Sequence, residues 1–119
     1  MMNSVRWRKF LERDLGRCLH CGETVALAPN HRVNRGMGGS RLRDVPSNIV
    51  VLCSVLNDRI ESDPAFAAMA LHYGWKLKSW QSPVDEPIYD LLLGEWFVLD
   101  DDFGRVVVKK GGNEDWFSV

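Results

Sequence analysis

A chain of 119 residues, 45% hydrophobic and 26% charged, has the size and composition of one ordinary globular domain. No apolar run approaches the roughly 20 residues that cross a bilayer, and the opening MMNSVRWRKFLERD lacks the apolar centre of a secretory signal. The net charge of −1 hides an asymmetry: residues 1–60 carry ten Lys/Arg against five Asp/Glu, and residues 61–119 carry five against eleven. A basic half suits a polyanion, because arginine forks and backbone N–H groups both meet phosphate oxygens; a solvated charged face is the plainer alternative. Three cysteines cannot all pair with one another, which points to a reducing, cytoplasmic setting.

In chain order, Ser4 reads as the cap of a helix that places Trp7, Phe10, Leu11 and Leu15 on one face and stops at Gly16. Cys18-Leu19-His20-Cys21 is a tight turn. Residues 24–28 form a short apolar run with the look of a strand. The stretch 29–40, rich in glycine, asparagine and arginine and poor in large apolar residues, is a loop. Residues 48–53 are β-branched and predict a buried strand. Ser54 caps a helix running to Glu61, and Asp63-Pro64 restarts another, with aspartate as cap and proline at the first helical position. Phe66, Met69, Ala70 and Tyr73 follow at helical spacing and are core residues; Gly74 ends that helix. Residues 75–80 form a strand or an extended link. Residues 95–99 and 105–109 alternate around Asp-Asp-Asp-Phe-Gly and predict a β-hairpin. From Gly111 the chain is a polar tail that Trp116 and Phe117 could pin down. The order is α, β, β, α, α, β: a single α+β domain over residues 1–119.

Two groups of residues carry chemistry. Cys18 and Cys21 have the spacing of a zinc knuckle, and Cys53 could supply a third thiolate; the residue that would complete a second C-x-x-C is Leu56, so the ligand set is incomplete. Three reduced cysteines packed as small hydrophobes are the alternative. The other group is His31, Asn48 and Asn57, which fall at a strand end, a strand start and the first turns of a helix, so a strand–loop–strand–helix unit would gather them.

That group, with "HRVNRGMGGS" and "SNIVVLCS", resembles the ββα-metal motif of HNH endonucleases, in the variant whose third member is asparagine. Together with "YGWKLKSW" and "LGEWFVLDDDFGR", it is similar to small HNH proteins of tailed actinobacterial phages. The motif core spans about residues 18–62, and the C-terminal extension about 63–119. The resemblance implies an α+β fold with a ββα-metal core, an N-terminal helix and a C-terminal β-hairpin extension. It implies His31 as general base, Asn48 as a structural tie, and Asn57 and Asn30 as ligands of a divalent cation, Mg²⁺ or Mn²⁺. Asn30 departs from the aspartate, glutamate or histidine of relatives and leaves those two ligands uncharged. Glu61, one turn beyond Asn57, could compensate as a ligand or be a solvated helix residue. Arg32, Arg35, Arg41 and Arg43 would hold DNA phosphates, while Gly36, Gly38 and Gly39 let the loop turn tightly.

The expected activity is metal-dependent, nicking hydrolysis of DNA, in the host cytoplasm if the chain is phage-encoded. The rival classes are an HNH-fold DNA-binding module without turnover and an accessory protein of phage packaging with a protein partner. Retention of His31 favours the enzyme, because a binder has no use for a base.

Overall fold

The computed structural model describes residues 2–34 and 43–109, an α+β fold of three helices and two small antiparallel sheets. Helix α1 (Ser4–Arg13) starts because the Asn3 side chain accepts the Arg6 N–H at 2.8 Å; the cap is Asn3, one residue before the serine that local pattern selects. Phe10 is its buried anchor, while Leu15, expected on the same face, lies beyond the helix end and is 56% exposed. Leu15 and Gly16 both adopt left-handed backbone there, turning the chain away.

Strand β1 (Leu27–His31) begins later than the apolar run suggests. The Glu23 carboxylate takes the N–H groups of Thr24 and Val25, and Ala26 is left-handed, so neither residue can join a ladder. The displacement carries β1 through Asn30 to His31. A short 3₁₀ turn, Pro46–Asn48, leads into β2 (Ile49–Cys53), which pairs antiparallel with β1 in the register Leu27↔Cys53 to His31↔Ile49. All five β2 residues are buried, and they alternate: Ile49 and Val51 meet Phe10 of α1, whereas Val50 and Leu52 join the main core.

Helix α2 (Ser54–Ser62) follows β2 without a loop. Its cap is Cys53, whose Sγ accepts the Leu56 N–H at 3.4 Å, and not Ser54. Helix α3 (Pro64–His72) starts as the Asp63-Pro64 pair dictates, Asp63 accepting the Ala65 N–H at 2.9 Å. Met69, Ala70 and Tyr73 are buried in the core and Phe66 packs against it. Gly74 has φ +77°, and a Cβ there would lie 2.2 Å from the Pro87 carbonyl oxygen, so only glycine fits. Residues 75–80 form neither a strand nor an extended link: they bend at Trp75 and Lys76 and end in a turn closed by the Gln81 N–H on the Lys78 carbonyl at 3.0 Å, while the Leu77 N–H donates to the Arg32 carbonyl at 2.8 Å.

The second sheet has the order β3-β4-β5, from β3 (Ile88–Asp90), β4 (Glu95–Leu99) and β5 (Arg105–Val108). The last two are the expected hairpin; β3 was not foreseen. Tyr73, Trp75, Tyr89 and Trp96 pack ring against ring at centroid distances of 5.0 to 6.3 Å and join this sheet to α3. Among the described residues no helix is long and apolar enough to cross a membrane. Trp116 and Phe117 lie outside the described residues.

Candidate functional site

The end of β1, the start of α2 and the link after α3 meet in a cleft of about 250 Å³ lined by Pro29, Asn30, His31, Asn34, Asn57, Glu61 and Lys76. Four residues singled out in the sequence, Asn30, His31, Asn57 and Glu61, thus share one cavity.

Asn30 is 1% exposed. Its Nδ2 donates to the Trp75 carbonyl at 2.8 Å, which turns Oδ1 the other way, and Oδ1 is buried without a hydrogen-bond partner. A buried, unpaired amide oxygen costs roughly 1–3 kcal/mol, and among the described residues none supplies its partner, so a bound cation is a candidate. An amide oxygen is a fitting ligand for a hard divalent cation. Asn57 and Glu61 sit one turn apart on α2 and face the same cleft.

His31 ends β1 with its side chain 24% exposed. Its Nε2 lies 3.4 Å from Asp44 Oδ1, and Asp44 is itself held by Arg6 through Oδ1 at 3.4 Å and the backbone carbonyl at 2.9 Å. Asn48 lies behind the cleft, fully buried. Its Oδ1 accepts the Val33 N–H at 2.8 Å, and its Nδ2 donates to the carbonyls of Val33 and Arg43 at 2.9 and 2.8 Å. One side chain therefore ties together the two ends of the loop between residues 34 and 43, next to His31.

The arginines divide. Arg32 is not available to a phosphate: it is fully buried, and its guanidinium donates to the carbonyls of Gly74, Ser47, Pro83 and Glu86. This corrects its expected role as a DNA contact; the charge is used to tie segments together. Arg43 does not line the cleft; it donates to the carbonyl of Asn34, which does, at 2.6 Å. Arg35 and Arg41, with Gly36, Gly38 and Gly39, lie outside the described residues.

Local sequence pattern did not pick out Lys76. Its Nζ reaches into the cleft and donates to the His31 carbonyl at 2.8 Å and to Asn34 Oδ1 at 3.2 Å, with Glu61 Oε1 at 3.4 Å. Burial lowers the Lys76 pKa from its ordinary 10.5, and the Glu61 carboxylate opposes that fall. Among the described residues lining the cleft, the one acidic side chain, Glu61, thus already faces a cation. Asp44, which supports the histidine, was also not singled out. A carboxylate is a common neighbour for such a ring, but nothing in the chain's local pattern pairs residues 31 and 44.

On the far side of α2's first turn, Cys18, Cys21 and Cys53 bring their sulfurs within 4.8 Å of one another, with Cys21 and Cys53 3.7 Å apart. Cys18 and Cys53 are buried and Cys21 is exposed. The turn that presents them is closed by the Gly22 N–H on the Cys18 carbonyl at 3.0 Å, with Gly22 left-handed. Burial pushes the Cys18 thiol up to about 11, while backbone N–H groups of Cys21, Cys53 and His20 pull it back. The three cysteines could bind a metal ion, and among the described residues no fourth histidine, cysteine or carboxylate joins them. Leu56, where a fourth cysteine would stand, is buried. His20 packs edge-on against Phe66 and Trp75 instead.

No family model matches the chain, and neither the curated proteins nor the solved structures contain a significant match to it.

Proposed function

We propose that this cleft is the active site of an HNH-type, metal-dependent endonuclease that hydrolyses DNA phosphodiester bonds by nicking, with β1, β2 and α2 as its ββα-metal core. The observation that carries the reading is that His31, Asn30 and Asn57 line one cavity, and that Asn30 Oδ1 is buried with no hydrogen-bond partner among the described residues. Asn30 and Asn57 would hold the divalent cation, Mg²⁺ or Mn²⁺, which when bound supplies Lewis-acid stabilisation of the leaving oxygen. His31 takes the proton of the attacking water. The imidazolium so formed is stabilised by Asp44, 3.4 Å from Nε2, whose own position Arg6 fixes. Asn48 holds the loop ends that flank the base. Arg43, bonded to Asn34 at the edge of the lining, would take a flanking phosphate.

The test is plasmid nicking with Mg²⁺, Mn²⁺ or EDTA. Cleavage is expected to need the cation and to appear at lower Mn²⁺ than Mg²⁺, because an uncharged pair of ligands draws little water off Mg²⁺. Asn30→Asp should shift the metal titration to lower concentration and raise the nicking rate. It should also lower the melting temperature in EDTA, since an oxygen then replaces the Nδ2 that donates to Trp75. Asn57→Ala should abolish metal-dependent cleavage. If the wild-type protein cleaves at no metal concentration yet still binds DNA, the domain is a binding module without turnover. The uncharged amide pair and the Glu61–Lys76 contact are what favour that alternative.

For the cysteine cluster we infer a structural zinc ion held by Cys18, Cys21 and Cys53, with solvent as fourth ligand beside exposed Cys21. Protein prepared without chelator should contain close to one zinc per chain. Cys18→Ser should lose it and lower the melting temperature, because metal bound only by the folded chain adds to folding free energy. Metal-free protein whose melting point ignores Cys18→Ser would leave three packed thiols.

A further inference from the structure

Among the described residues lining the cleft, Lys76 is the only lysine or arginine, and its position is preset. On one side Trp75 gives its carbonyl to Asn30 Nδ2, and on the other Leu77 donates to the Arg32 carbonyl, so the link is fastened to the end of β1 around Lys76. The ammonium has two neutral partners, the His31 carbonyl and Asn34 Oδ1, and one charged partner, Glu61. The neutral bonds are the shorter ones and aim the Nζ beside the residue read as the base. The ion pair is the loosest, at 3.4 Å, and it is lopsided: the Lys76 side chain is 13% exposed and that of Glu61 is 62% exposed. An ion pair with one partner this solvated contributes little, so exchanging its carboxylate for another anion costs little. A phosphodiester entering the cleft supplies that anion.

We propose that Lys76 is a phosphate-binding residue of the cleft, its ammonium taking a non-bridging oxygen of the DNA backbone, with Glu61 as the resting counter-ion it gives up. The proposal rests on the reading that a DNA phosphodiester occupies this cavity. It gives Glu61 a different task from the metal ligation its sequence position implied: the carboxylate competes with substrate for the lysine and contributes nothing to affinity.

Without metal the two roles predict different results for one exposed substitution: tighter binding if Glu61 is the counter-ion, and no change if it is only a metal ligand. Binding of the full chain to a short DNA duplex is measured across a salt series in EDTA, where no metal contributes. Lys76→Gln should weaken binding on the order of tenfold and lower the slope of log affinity against log salt by about one, while Lys76→Arg keeps the slope. Glu61→Gln should tighten binding about two- to fivefold. That gain should vanish in the Lys76→Gln background, because the two changes act through one contact. Asp58→Asn, an exposed change on the same helix outside the cleft, separates this from a general charge effect and should do less than Glu61→Gln. If Lys76→Gln fails to fold, the Glu61→Gln and Asp58→Asn pair still decides. Unchanged or weaker binding by Glu61→Gln, or an unchanged salt slope in folded Lys76→Gln, overturns the proposal. Absent nicking by wild type with these shifts intact would remove the nuclease reading and leave Lys76 as a DNA contact; nicking without the shifts would do the reverse.

Discussion

Replacing His31 with alanine should cut the nicking rate by roughly 10²–10⁴ and leave DNA affinity nearly unchanged, the range a positioned general base contributes. The side chain is small and 24% exposed at the end of a strand whose neighbours carry the structural bonds, so its removal should leave the fold intact. The backbone carbonyl that receives Lys76 survives the substitution, so the cleft keeps its cation. Nicking of supercoiled plasmid under saturating Mn²⁺, paired with duplex affinity in EDTA, separates the outcomes. Equal loss of binding and cleavage would make His31 a contact residue, and undiminished nicking would take it out of the chemistry. Asp44→Asn keeps the shape of its neighbour and removes the charge. It should therefore lower the rate by less than the histidine change, since the ring remains but its protonated form is less stabilised.

Where structure depends on neighbours along the chain, the sequence was readable. The β-branched run of β2, the Asp-Pro start of α3 and the alternation around Asp-Asp-Asp-Phe-Gly are local signals, and each element formed. Placing His31, Asn30 and Asn57 in one cavity needed only that β1 and β2 pair antiparallel and that α2 follow at once. Where a residue's role depends on partners far along the chain, local pattern misled. Strand β3 is three residues long and exists because Tyr89 donates to the Tyr73 carbonyl while its strand pairs with β4; nothing within residues 88–90 announces it. Lys76 reads as a solvated charge beside Lys78 until the link folds back onto β1. The caps show the same limit at short range. Asn3 and Cys53 won over Ser4 and Ser54 because a side-chain acceptor in either neighbouring position would have served, and backbone direction chose between them.

Arg32 is the sharpest of these cases, and its substitution should be the most damaging to stability. In sequence it follows the histidine and opens a glycine-rich basic loop, which made a phosphate contact the natural expectation. In the fold its guanidinium is fully buried and donates to Gly74 at 2.7 Å, Ser47 at 3.1 Å, and Pro83 and Glu86 at 2.9 Å each. These carbonyls belong to three separate stretches of backbone: the turn before β2, the exit of α3, and the loop before β3. Burial lowers the pKa of the group to about 10, with the Arg13 charge adding to the fall and Glu86 resisting it, so the side chain is still protonated at neutral pH. Arg32→Met fills much of the volume but leaves four acceptors without their donor, two buried and two partly buried. Removing one side of such a buried charged network costs about 3–5 kcal/mol, a large part of the roughly 5–15 kcal/mol that holds a domain together. Denaturant unfolding should show that loss. Arg32→Lys should recover only part of it, because an ammonium has three donors and no planar fork to reach all four carbonyls. DNA binding should fall only in step with the folded fraction. A phosphate contact would behave in the opposite way, leaving the unfolding midpoint in place and lowering the salt slope of binding by about one. An unshifted midpoint with a reduced slope in Arg32→Met would return this arginine to the DNA and remove it from the core.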